Sequence, residues 1–571
     1  MMLLIKPVDT HSDDPIGMID SPVDLNACLN AHGLYNPIQF VLRLSPEVHR
    51  KIATIATMPT GIVAGIDFDS LQAYSTYLHE TIHWWQHVGS TTGLMLSLSY
   101  PAQAHANYIH LKEFLKRSGP KKSILRFVEQ AQGPGGDPDT PSGLASIVVN
   151  NHFDIEFFRL LATNPPLATN QSLIRQIVDH PLFDCIGHSY QVTYGNIVLI
   201  LATTLDANLR IFPDPRGWVN EFATLRTRKE KGYYWGSDVN ITPIGAYQIF
   251  EGQARFAQLQ YLYFASGGKL AWDDVRSRGM LHGIYKEAFQ TFLQLAELDW
   301  PPSIDHPVVA LFLLVCDIAI NPGAGFPMPL RVFKTFIADV DPGFRFLSLC
   351  RTIAQRRPDL ALAIQQYSRA EYAEVSEALT GQLLVDSPLA VVETVTRWIS
   401  NSKTLNSLMA EHLSFDYAAV NLPVHFVFSH FLAFSKDKYL KPEFFCWPGA
   451  WLAGERVSRE IGRLLDHHSA PFMDKAEDGG IYPRLITGMS EAVIQATFDN
   501  FYAVNVSYDM TRQWIAKPGP FEYDYGWLSS SATQTDLKTF ADRHFEQIYG
   551  VHPDTFEFLV DPALTRTCAR D

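Results

Sequence analysis

The stretch DFDSLQAYSTYLHETIHWWQHVGS, Asp67 to Ser90, decides how this chain is read. Asp69 or Ser70 can accept from the free N–H groups of a helix start, and Gly89 can end the helix in the left-handed conformation. A helix of about five turns is predicted between them. On a helical wheel Leu71, Tyr74, Leu78, Ile82 and Trp85 form one apolar stripe, and Ala73, Tyr77, Trp84 and Val88 form a second beside it. The remaining arc holds Gln72, Ser75, Thr76, His79, Glu80, His83, Gln86 and His87. It contains no Lys, Arg or Asp, and its single carboxylate is Glu80, whereas a solvated face carries both charge signs. The arc is therefore predicted to face an internal cleft.

Within the arc, His79-Glu80-Thr81-Ile82-His83 is an HExxH sequence. Residues at i and i+4 share one helix face, so His79 and His83 can offer two imidazole nitrogens to a single tetrahedral ion. Glu80, one residue round the helix, lies beside that ion without binding it and can accept a proton from water there. A divalent ion lowers the pKa of bound water from about 15.7 towards ~7, which makes hydroxide available at neutral pH. The bland alternative is a pair of core-edge histidines bonded to their neighbours.

These residues resemble the zincin superfamily of metallopeptidases, and Trp84, Trp85 and Gln86 extend the likeness to HExxHxxQ variants of zincin-like proteins. The resemblance covers this helix and, more loosely, one later helix. It implies His79 and His83 as zinc ligands, Glu80 as general base, one Zn2+ per chain, and a zincin-like active-site helix inside a larger helical body. The metzincin subgroup is excluded, because Gln86 and Gly89 stand where its glycine and third histidine would be. His87 lies two turns from His79, about 12 Å along the axis, too far to share one ion with it. A role in supporting the site or facing substrate is open to His87, and so is a plain core-edge role.

The third ligand is sought on TPIGAYQIFEGQARFAQLQYLYFAS, Thr242 to Ser266, whose only charges are Glu251 and Arg255. A carboxylate on so apolar a helix needs a partner. Gly252 and Ala254 would let this helix approach the motif helix closely, and the EGxA pattern looks like the downstream glutamate helix of gluzincin-like proteins. Glu251 is thus the candidate ligand, with Glu156 as the next. The same i,i+4 spacing also allows Glu251 and Arg255 to satisfy each other. Arg255 stands where the thermolysin-like pattern has an aspartate, which sets the chain apart from that subgroup. For the transition state, Tyr247, one turn before Glu251, is the candidate hydrogen-bond donor; His188, His282 and Tyr285 are others. His467 and His468 read as a solvated helix end.

The function that follows is a zinc-dependent hydrolase, a metallopeptidase acting on a peptide or protein, with hydrolysis of another amide or ester close behind. Two other classes compete. Glu80-Thr81-Ile82-His83 is also the Glu-x-x-His unit of ferritin-like di-iron oxidases, but such sites need the unit twice, and no second copy occurs. A non-catalytic protein is the other alternative, either a structural metal site, which a fourth protein ligand would close, or an interaction module whose large helical half binds a partner.

Composition sets the frame around this segment. The 571 residues carry 60 acidic and 46 basic side chains, a formal charge of −14, which repels nucleic acid and anionic lipid rather than attracting them. With 47% apolar and 19% charged residues the chain has enough to bury for a large globular interior. The six cysteines, at Cys28, Cys185, Cys316, Cys350, Cys446 and Cys568, form no CxxC pair and demand no oxidising compartment. The first residues are too acidic for a secretory segment, and Val308 to Ile320 is too short to cross a bilayer. A cytoplasmic protein without membrane or nucleic-acid partners is expected.

The fold class read from the pattern is mainly α with a small N-terminal β portion. Gln39 to Leu44 and Gly61 to Phe68 read as strands. Leu71 to Val88, Leu144 to Ala162, Ile197 to Leu209, Ile244 to Ala265, Val308 to Ile320 and Leu360 to Leu379 read as helices. Gly133 to Gly143 is too rich in Gly and Pro for anything but a loop, with further breaks near Asp339 to Gly343 and Glu477 to Gly480. A zincin-like catalytic region over 1–335 and a helical C-terminal region over 336–571 are the expected division.

Overall fold

The computed structural model describes residues 32–56, 66–131, 137, 139–164, 177–228, 242–417, 421–486 and 488–559. The chain is mainly helical, with a small sheet at the front, as the pattern predicted. Strand Gly33–Asn36 pairs antiparallel with Val41–Leu44, inside the predicted run Gln39 to Leu44. The predicted strand Gly61 to Phe68 lies outside the described residues except for its last three, of which Phe68 opens the motif helix. The sheet is completed from far along the chain: Val41–Leu44 runs parallel to Phe472–Lys475, which pairs antiparallel with Asp478–Pro483. The break at Glu477 is the turn between those last two strands.

The motif helix spans Phe68–Gly89, and its ends differ from those read in the sequence. Asp67, rather than Asp69 or Ser70, is the cap: its carboxylate accepts from the N–H and the hydroxyl of Ser70. At the other end Gly89 is not left-handed, because Ser90 closes this helix in an extended conformation and at once caps the next, Thr91–Ser118, by accepting from Gly93 N. Gly89 serves close packing instead, since a Cβ there would stand 2.4 Å from the Phe434 ring.

Both apolar stripes are anchored by aromatic contacts. Trp85 packs among Phe434, Phe444 and Phe445, and Trp84 meets Phe426 and Tyr35. These partners come from both halves of the sequence, and one apolar core runs from Tyr35 to Phe556. Three of the other predicted helices appear within a few residues of their expected bounds, as Pro141–Thr163, Ala246–Ala265 and Pro307–Ala319, while the helix read as Ile197 to Leu209 spans Ile186–Leu205, starting eleven residues earlier. Leu360 to Leu379 is not one helix. A short 3-10 turn at Pro358–Leu362 gives way to Arg369–Leu383, because Ser368 and Glu371 form a reciprocal capping box that starts a new helix there. The break at Asp339 to Gly343 is a tight corner at which Asp341 caps Pro342–Arg356. Of the predicted loop Gly133 to Gly143, much lies outside the described residues, and its last three residues are not loop: capped by Thr140, Pro141 to Gly143 form the first turn of helix Pro141–Thr163, where a proline at the first position is tolerated.

Candidate metal centre

Helices Phe68–Gly89 and Ala246–Ala265 lie side by side and antiparallel, joined by contacts at successive levels. Tyr74 meets the Tyr261 ring at 5.4 Å, and Gln258 donates to Ser75 Oγ at 2.9 Å. Gln86, two turns beyond His79, donates to Phe250 O at 3.0 Å and to Gln253 Oε1 at 2.9 Å. The uncharged arc of the motif helix is thereby turned inward, and Ser75, Thr76, His79, Glu80, His83 and Gln86 are all buried. Gly252 plays a different part from the one read in the sequence. The space it leaves is filled by Ala288 and Phe312 of neighbouring helices, not by the motif helix.

Between these levels three of the predicted residues meet. His79 Nε2 and His83 Nε2 are 3.1 Å apart, and Glu251 Oε2 lies 3.4 Å from the first and 3.5 Å from the second. Tetrahedral ligands at zinc bond lengths of ~2.0–2.1 Å stand about 3.3 Å from one another, so one face of a zinc tetrahedron fits this triangle. All three residues are buried. Glu251 faces the imidazoles, while Arg255 stacks over Tyr285 at 3.9 Å and bonds Gln258.

The tautomer of His83 is set by its neighbour. Both amide hydrogens of Gln86 are given to Phe250 O and Gln253 Oε1, so its Oε1 must accept from His83 Nδ1, at 2.8 Å. Nε2 is left for an ion. In the sequence Gln86 stands out only as part of the HExxHxxQ pattern, and its i,i+3 spacing from His83 is the one local signal of this bond. His79 has no such partner at Nδ1 among the described residues, and the Tyr285 ring lies edge-on to it at 5.9 Å.

Burial dominates the electrostatics. It pushes His79 well below the ordinary histidine value, against the pull of Glu251. It also acts to lower His83, but the charge and hydrogen bond of Glu251 outweigh it and leave His83 raised. Burial would lift Glu251 too, yet the imidazoles hold its carboxyl well below the usual range. A proton taken up by this group is therefore expected on His83, whose Nε2 faces His79 Nε2 at 3.1 Å. Glu80 is raised by burial, and its Oε2 has no hydrogen-bond partner among the described residues. Gly33 of the first strand lies against it: a Cβ there would stand 2.8 Å from Glu80 Cγ and Oε1.

The other candidates lie elsewhere. Glu156 belongs to a separate buried cluster with Tyr100 and Arg512. His188 pairs with Asp154 at 2.9 Å. His282 is exposed, bonds Gly279 O and meets the Tyr285 ring edge-on. His87 is half-buried, donates to His83 O and packs between Tyr35 and Phe250, with burial taking its pKa down to about 3. Tyr247 is half-buried, one turn before Glu251. The solvated helix end read at His467 and His468 holds for exposed His467 but not for His468, which is buried against Phe434 and Phe445. No protein-family model matches the chain, and neither a curated protein nor a solved structure does.

Proposed function

We propose that this chain is a zinc-dependent hydrolase, most simply a metallopeptidase, with His79, His83 and Glu251 as metal ligands and Glu80 as general base. The observation that carries the reading is the meeting of two imidazole nitrogens and one carboxylate oxygen at 3.1–3.5 Å, supplied by two helices far apart in sequence. A divalent ion bound by these atoms supplies Lewis acidity and acidifies water. The buried, raised carboxyl of Glu80 is suited to take the proton of the attacking water at Oε2 and to hand it to the leaving nitrogen. Tyr247, one turn before Glu251, and Tyr285, stacked under the Arg255 guanidinium, are the donors proposed for a developing oxyanion. Esters and other amides are open to the same chemistry.

The burial of all four residues favours a second reading, in which the bound ion is structural. Three protein ligands rather than four among the described residues weigh against it. The test is Glu80→Gln against a mixed peptide library. Retained zinc with hydrolysis lowered by about 100-fold or more supports the proposal, because general-base catalysis is worth about 10²–10⁴. Hydrolysis at the parental rate with zinc in place would refute the mechanism.

A further inference from the structure

On the apolar side of the motif helix a second group of metal-ligating side chains collects. Asp437 sits near the end of helix Leu422–Leu440, while His467 and His468 close helix Arg459–His467. His468 Nε2 is 2.9 Å from Asp437 Oδ2, and the His467 ring lies 4.7 Å from that of His468 at a near-perpendicular 78°. One ligand atom from each of the three lies within 4.8 Å of the others. Two more imidazoles back them: His412 is 5.6 Å from His467, and His430 is 4.6 Å from His412.

A plain ion pair would need one imidazole beside Asp437. Here four stand in ring contact, and imidazoles so close cannot all hold protons, since like charges repel. His430 donates from Nδ1 to Phe426 O, which leaves the lone pair on Nε2. Two imidazoles and a carboxylate are a borderline donor set of the kind that selects zinc and its neighbours over magnesium or calcium. His467 is exposed and gives an ion a way in, while His468 is buried and gives the site a fixed wall.

We propose that Asp437, His467 and His468 form a second divalent-metal site, distinct from His79, His83 and Glu251, that binds zinc. Its role is a clamp. It would tie the ends of two helices together at the point where Trp85 of the motif helix donates to His468 O at 2.7 Å and packs on Phe434. The site at Glu80 would then be held rigid from behind by an ion that never meets substrate.

The test uses the full-length chain, stripped of metal and titrated with zinc, as wild type, His467→Ala, Asp437→Asn, His83→Ala and the double variant His467→Ala/His83→Ala. His467 is exposed, so its removal leaves folding untouched; Asp437→Asn, a change of nearly equal volume, repeats the measurement independently. Two equivalents are expected for wild type, one for each single variant and none for the double, and zinc should raise the Tm of His83→Ala but not of the double variant. Wild type binding one equivalent that His83→Ala loses and His467→Ala keeps overturns the clamp and leaves the first site standing. One equivalent lost in His467→Ala and Asp437→Asn but kept in His83→Ala sustains the clamp and refutes the hydrolase centre. Two equivalents retained in His467→Ala and in Asp437→Asn would also overturn it.

Discussion

Gln86 Oε1 accepts from His83 Nδ1 at 2.8 Å, with the amide of Gln86 already committed to Phe250 O and Gln253 Oε1. The ring of His83 is thus fixed in orientation and tautomer by a side chain one turn further along its own helix. Partners of this kind typically contribute 10- to 100-fold to metal affinity. Gln86→Leu is expected to weaken zinc binding by about that factor while leaving the ligand set intact. Competition against a chromophoric chelator measures it, and unchanged affinity would remove Gln86 from the site.

Zinc uptake should release a proton. The raised His83 binds one in the metal-free protein above the ordinary histidine value, whereas His79 and Glu251 are already deprotonated. Affinity is therefore expected to be flat on the alkaline side and to fall by about tenfold per pH unit once pH drops below the raised His83 value. Calorimetry at pH 6 in two buffers of different ionisation enthalpy should give heats that differ by about one proton's worth. Identical heats would contradict the shared proton.

Gly33→Ala should injure catalysis more than folding. Its Cβ would collide with Glu80 Cγ and Oε1 and crowd Thr76 Cγ2, all side-chain atoms, so Glu80 moves and the backbone need not. A misplacement of about 1 Å at a catalytic group can cost 100-fold. We expect kcat to fall by that order with zinc stoichiometry retained; a variant with parental kcat would place Glu80 outside the reaction.

Lys438 is buried against Asp317 at 2.5 Å, and Tyr372 donates to the same carboxylate at 2.7 Å. Lys438→Met leaves that carboxylate buried without its cation, which costs about 3–5 kcal/mol. Chemical denaturation should show the loss as a lower midpoint with an unchanged slope. Tyr372→Phe, which removes one neutral donor, should cost about 1–2 kcal/mol.

What could be read in the sequence, and what could not, divides along local and long-range physics. The motif helix, its buried uncharged arc and Glu251 on a nearly uncharged partner helix follow from spacing and charge, which act within a few turns. The capping box Ser368 to Glu371 was equally local and legible, yet the apolar run from Leu360 masked it. By contrast Gln86 acquires its role only when Phe250 and Gln253 arrive from a helix 164 and 167 residues away. The space at Gly252 likewise reveals its occupants, Ala288 and Phe312, only after packing. The pairing of Val41–Leu44 with Phe472–Lys475 left no trace in either segment alone, because strand partners are chosen by the whole fold.

That strand pairing sets a schedule for the molecule's birth. Leu44 N–H finds the Asp474 carboxylate 430 residues downstream, so the inner strand emerges from the ribosome long before its partner exists. At about 5–20 residues per second, the wait is roughly 20–90 s. During it the front sheet is half-built and Gly33 has no settled seat from which to press on Glu80. The candidate metal centre can therefore gain its Gly33 wall only after Asp474 has been synthesised.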